Sequence, residues 1–200
     1  MSIAHVHTDV RQNILDAAQG LMAAKGFSAV GLNEILASAS VPKGSFYHYF
    51  GSKDAFGDAL LKAYFEQYLA DIDAILADPG LTYAERLLTY FRAWRDTQGG
   101  FDCKGKCLAV KLAAEVSDLS EAMRLALKEG TAGIIERLSS AIEAGVAEGS
   151  VTIEGDPHAT AETLYHTWLG ASLMVKIVRT SAAFETAMAT TRRTLNLPLH

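Results

Sequence analysis

Cysteine is scarce in this chain, with two residues in 200. That excludes a disulfide-stapled scaffold. Cys103 and Cys107 stand four apart with no histidine beside them, too few ligands for a structural zinc. His158 and His166 fall far along the chain, so no metal is expected, and no cofactor fingerprint is present. Long apolar runs are missing as well. Nothing approaches the roughly 18 residues that a membrane span needs. Residues 1–10 are polar and include His5, His7 and Asp9, unlike a signal peptide. A cytoplasmic protein with no membrane partner is expected. Positive charge is in short supply too. The net charge is −5, which excludes a polybasic coating protein. Repeats, low-complexity tracts and convincing strand alternation are absent.

What is present is helical periodicity. Half the residues are hydrophobic, enough to bury a sizeable core. They recur at helical spacing almost throughout. A first helix is expected from a Thr8 or Asp9 cap to Lys25, with Val10, Ile14, Ala17, Ala18 and Leu21 in register. Gly26 ends it, with Phe27 packed behind. A short helix follows from near Gly31, marked by Leu32, Ile35 and Leu36, and Ala37–Ser40 reads as a small-residue turn. Pro42 suits the first position of a third helix. Gly51 suits its left-handed terminus, and Ser52 caps the next helix.

That third helix organises the reading. Phe46, Tyr49 and Phe50 share one face, spaced to anchor a core. The other face offers Lys43, Ser45, Tyr47 and His48, while Gly44 allows close backbone approach. A cation, a hydroxyl, a phenol and an imidazole on one face suit a polyanion. Two short helices around a tight turn make a helix-turn-helix, whose second helix enters the major groove of DNA. Residues 1–56 hold four basic groups (Arg11, Lys25, Lys43, Lys53) and four acids (Asp9, Asp16, Glu34, Asp54). Attraction to phosphate must therefore come from placement, and Lys43 and Lys53 bracket the third helix.

Gly26-Phe27, Leu32-Asn33-Glu34-Ile35, Val41–Phe50 and Ser52-Lys53-Asp54-Ala55-Phe56 together resemble the signature of the TetR family of transcriptional regulators. The signature covers about the first quarter of the chain. Many members place a hydroxyl cap before the second helix, where this chain has Val30-Gly31. The resemblance implies an all-α fold of about nine helices. Residues 1–51 would be a three-helix DNA-binding head, and residues 52–200 a ligand-sensing and dimerisation bundle. It also implies a homodimer, paired through the last two helices and bound to double-stranded operator DNA. Asn33, Lys43, Gly44, Ser45, Tyr47, His48 and Lys53 are the expected DNA contacts.

Beyond the head, helices are expected over 52–78, 82–97, from near Cys107, over 120–148, from Asp156-Pro157 to 178, and over 184–195. Pro79-Gly80 is the clearest break. Cys107 falls near a helix start with Lys104, Lys106 and Lys111 close in sequence, a setting that favours the reactive thiolate. A cysteine in the run Cys107-Leu108-Ala109-Val110 also suits an inert core position. Lys176 lies in an almost wholly apolar stretch. It either snorkels to water at a helix end or faces a group that needs a cation.

Cys107–Ser120 and Trp168-Leu169-Gly170-Ala171…Lys176 resemble the N-ethylmaleimide reductase repressor branch of the family, and more distantly the acrylate-responsive regulator. In that branch a cysteine at the Cys107 position senses electrophiles, and a lysine at the Lys176 position can partner it. The expected function is a repressor released from a palindromic operator when an electrophile or oxidant modifies Cys107. Cys103 lies outside the shared motif and is expected to be accessory. Two other readings stay open. One is a repressor induced by a reversible apolar ligand among Tyr90, Phe91, Trp94 and Trp168. The other is an all-α thiol-dependent transferase, for which no general base stands at catalytic spacing; the chain is not expected to be an enzyme.

Overall fold

A computed structural model describes residues 3–98 and 107–198, with side chains described over 10–97 and 107–198. Cys103, Lys104 and Lys106 lie outside the described residues. Among those described there are nine α-helices and no strand: α1 Ile3–Lys25, α2 Leu32–Ala39, α3 Lys43–Phe50, α4 Lys53–Leu76, α5 Tyr83–Gln98, α6 Leu108–Leu119, α7 Glu121–Glu148, α8 Pro157–Val178 and α9 Ala182–Thr194. The all-α class and the nine helices agree with the sequence reading. Helix α1 departs from it, starting at Ile3 rather than behind a Thr8 or Asp9 cap.

The chain forms two compact units. One is drawn from Met1–Gln67 and Lys106–Gly130, the other from Tyr68–Gly105 and Thr131–His200. The first therefore holds α1–α3, the opening of α4, α6 and the opening of α7. Its core is built on Ile14, Leu15, Met22, Ile35, Phe46, Phe56 and Leu60, each at most 1% exposed. Two close approaches depend on missing side chains. A Cβ at Gly57 would stand 2.8 Å from the Phe27 ring, and one at Gly130 would stand 2.1 Å from the Phe65 ring.

The second unit buries a ring cluster between α5, α8 and α9. Two of its helices, α5 and α8, begin with side-chain caps. The Asp156 carboxylate accepts from the Ala159 N–H at 2.8 Å, with Pro157 at the first position of α8 as expected. At the start of α5, Thr82 and Glu85 form a reciprocal capping box. The next two amides reach a different helix end: Tyr83 N–H donates to Glu148 at 2.5 Å and Ala84 N–H to the Ser150 hydroxyl at 3.2 Å. The orphan donors that every helix start presents thus find acceptors, two of them anionic.

Candidate DNA-reading face and thiol site

Helix α2 has Gly31 as its N-cap, which has extended backbone and no side chain to cap with. Its end is tighter than the sequence suggests. Ala37–Ala39 remain helical, and Ser40 alone closes the turn in a left-handed conformation, φ 56°. The Ser40 and Val41 amides bond back to Ala37 and Leu36. From α1, the Asn13 amide donates to the Ala39 carbonyl at 2.9 Å and pins the turn. Pro42 is the N-cap of α3 rather than its first residue, with φ −72° and ψ 153°. Gly51 ends α3 at a positive φ of 72° but with ψ −44°, outside the left-handed helical region expected for it, and Ser52 caps α4 through the Ala55 N–H at 3.0 Å, as expected.

Within α3 the two faces separate cleanly. Phe46 and Phe50 are buried and meet Phe56 at ring distances of 5.1 and 5.0 Å. Tyr49 is only half-buried. Lys43, Gly44, Tyr47 and His48 are exposed and Ser45 half-exposed, with Asn33 exposed on α2. Six of the seven expected DNA contacts therefore face outward, wholly or in part. The seventh, Lys53, is engaged within the fold: its ammonium donates to the Phe27 carbonyl at 3.1 Å and sits 4.8 Å from that ring's centre. Arg11, counted among the basic groups but not among the expected contacts, places its guanidinium over the Phe50 ring at 5.4 Å, so α1 brings a cation beside α3.

Cys107 is the N-cap of α6, with extended backbone (φ −78°, ψ 100°), and only 7% exposed. Its carbonyl accepts from the Lys111 N–H at 3.2 Å. The helix start expected there is present, and the thiol stands in a buried setting. Lys176 is half-buried in the last turn of α8 and belongs to the other unit. Around it Tyr165 and Ser172 face inward, while Leu173 is 53% exposed.

Tyr90, Phe91, Trp94 and Trp168 are all buried and close on one another. Phe91 stacks on Trp168 at 4.9 Å, and Trp168 on Phe184 at 5.7 Å. The indole of Trp168 donates to the Thr191 hydroxyl at 2.9 Å, and the Tyr68 and Tyr90 hydroxyls lie 3.3 Å apart. A separate open cleft of about 360 Å³ is lined by Asp73, Leu76, Ala77, Tyr83, Glu136, Arg137, Ser140 and Ala141, none of which the sequence reading had singled out. Arg137 spans it with a two-pronged bond to Asp73, at 2.6 and 2.9 Å. Hydrogen bonding to that carboxylate holds the guanidinium above its ordinary value. Among the described residues no cluster of three metal-ligating side chains occurs, and no helix is long and apolar enough to cross a membrane.

Two family models match the chain. Residues 14–60 match that described as bacterial regulatory proteins, tetR family, and residues 84–191 that described as tetracyclin repressor-like, C-terminal domain. The chain belongs to the TetR family of transcriptional regulators. It is 39% identical to the transcriptional repressor NemR of Escherichia coli over 194 residues, 97% of this chain and 98% of that one. It is 33% identical to the transcriptional repressor DhaR of a Mycobacterium species, over 86% of this chain and 85% of that one. Among solved structures, the reduced form of E. coli NemR superposes with a TM-score of 0.87 at 40% identity, covering 95% of this chain and all of that one (100%). A TetR regulatory protein from Rhodobacter sphaeroides follows at 0.81 and 32%, over 96% and 99%. The family and branch resemblances read from the sequence are thereby upheld, and the protein is a TetR-type transcriptional repressor homologous to NemR.

Proposed function

We propose that this protein works as a cytoplasmic homodimer that blocks transcription from a palindromic operator and lets go when an electrophile or oxidant modifies Cys107. Each head would place α3 in a major groove, with Lys43, Gly44, Ser45 and His48 toward bases or backbone, Tyr47 toward phosphate, and Asn33 and Lys53 in support. The partner surface is read on α8 and α9, and at the end of α8 Leu173, Met174, Ile177 and Val178 form an exposed apolar row. The observation that carries the sensing step is Cys107 itself, a cysteine capping the start of a helix in the same compact unit as the DNA-reading helices. Because the thiol is buried, an added group has to displace its neighbours. That rearrangement would shift α6, tilt α4 and move the heads out of register. The controlled genes would remove electrophiles such as quinones, reactive aldehydes or α,β-unsaturated carbonyls. Two relatives over most of the chain are repressors by name, and the solved NemR structure is described as a reduced form.

The deciding experiment measures binding to the DNA upstream of the protein's own gene, at fixed salt, before and after a mild electrophile, for the native protein and Cys107→Ser. Loss of binding in the native protein alone supports thiol sensing. Equal loss in both moves the sensor elsewhere, including to an apolar ligand site among Tyr90, Phe91, Trp94 and Trp168. Catalytic turnover of the electrophile, instead of one-to-one labelling, would replace regulation by enzymology.

A further inference from the structure

The turn that leads from α1 into the helix-turn-helix is held by a side chain from far along the sequence. Gly26 ends α1 with φ 91°, and its N–H bonds back to the Met22 carbonyl. The next two amides point away from α1, and Glu115 of α6 takes both. Phe27 N–H donates to Oε2 at 3.0 Å, and Ser28 N–H to Oε1 at 2.6 Å. One carboxylate oxygen serves each amide. Gly26 makes room for this: a Cβ there would stand 2.9 Å from Oε2. The other side of the same turn is held from α4, where Lys53 donates to the Phe27 carbonyl and Gly57 admits the Phe27 ring. Burial pushes the Glu115 carboxyl up, but bonds from Ser28 and Phe27 and the charge of Lys111 outweigh it and leave the group below its ordinary value of 4.5.

Glu115 also has a place relative to the thiol. Cys107, Lys111 and Glu115 are spaced i, i+4 and i+8, so they fall along one side of α6, about 12 Å end to end. All of these residues belong to one compact unit. A helix with the thiol at its start and a carboxylate two turns on, bonded to the entry of the DNA-reading motif, couples the two by rigid displacement. Charge-assisted bonds of this kind are short-ranged and directional, so a displacement of an ångström or more opens them.

We propose that Glu115 is a positioning residue for operator binding: its carboxylate fixes the Phe27–Ser28 turn, and movement of α6 begun at Cys107 pulls that latch open. The second half rests on the thiol-sensing reading above; the first does not. Glu115→Gln is the informative variant, because its amide nitrogen presents a donor to an N–H and loses one of the two bonds at nearly constant shape. In the full-length protein, Glu115→Gln and Glu115→Ala should each weaken operator binding about tenfold or more. The ratio of operator affinity before and after N-ethylmaleimide should fall toward one in both. Hydrogen exchange at the Phe27 and Ser28 amides should speed up in both variants. It should also speed up in the native protein after modification, and not in Cys107→Ser.

A merely structural Glu115 would lower the melting temperature yet leave the affinity ratio at its native size, and that result overturns the proposal. So does a native protein that releases the operator while both amides stay protected. If the modified native protein keeps its operator, thiol sensing fails on its own. Operator affinity and amide exchange in Glu115→Gln then still decide the positioning role.

Discussion

The Trp94 indole N–H donates to the Ser172 hydroxyl at 2.9 Å, and that hydroxyl in turn donates to the Trp168 carbonyl at 2.8 Å. One buried serine, 1% exposed, therefore ties α5 to α8 inside a cluster of rings. Ser172→Ala leaves the indole N–H without an acceptor in an apolar place. It should cost about 1–3 kcal/mol in denaturant unfolding. Once Trp94→Phe has removed the donor, the same change should cost clearly less. Equal costs in both backgrounds would show that the bond contributes nothing of its own.

Glycines in this chain are not interchangeable. At Gly130 a Cβ would lie 2.1 Å from the Phe65 ring, which is itself 3% exposed and has no room to retreat. Gly130→Ala should therefore destabilise by about 1–3 kcal/mol through overpacking. Gly20, inside α1, meets nothing within 4 Å, and Gly20→Ala should stabilise by roughly 0.5–1 kcal/mol through helix propensity. Thermal melts of the two variants should move in opposite directions; a shared direction would contradict the packing argument.

The contrast between local and distant signals explains what the sequence disclosed. The helix-turn-helix was legible because its punctuation is local: Gly31, Pro42, Gly51 and Ser52 each act on the next few residues, and Phe46 and Phe50 share a face by spacing alone. Its errors were local too. Ser40 closes the α2–α3 turn by itself in a left-handed conformation, which a run of small residues does not announce. The reach of Glu115 to Phe27 and Ser28 spans 88 and 87 residues, and nothing near Glu115 marks it out. Lys53 shows the same limit from the other side. Its position beside α3 suggested a phosphate contact, while its bond to Phe27, 26 residues away, appears only in three dimensions.

Acid should loosen the start of α5. Hydrogen bonds from Thr82, backbone first and then side chain, hold Glu85 below the ordinary 4.5 of a glutamate. Those from the Ser150 hydroxyl and then the Tyr83 amide do the same for Glu148. A carboxyl depressed by folding binds fewer protons folded than unfolded, so its contribution is complete above the unfolded value and is lost as pH falls through the folded one. Melting temperature should hold steady from neutrality to about pH 5 and then drop as these groups protonate. Glu148→Gln should begin lower at neutral pH and show a shallower fall. An unchanged slope in that variant would mean that other carboxyls carry the acid response.

Lys43 and His48 share the exposed face of α3 and should fail in different ways when removed. Lys43 stands at the first helical position with its ammonium outward, where it acts on any phosphate regardless of sequence. Lys43→Ala should weaken operator and random DNA alike and reduce the slope of log affinity against log salt by about one. His48, five residues further and also exposed, carries an imidazole that can meet base edges. Its replacement by alanine should weaken the operator selectively and leave the salt slope nearly intact. Titrations of operator and scrambled duplex at several salt concentrations separate the two outcomes. Equal losses on both duplexes with an unchanged slope for both variants would remove α3 from the DNA interface.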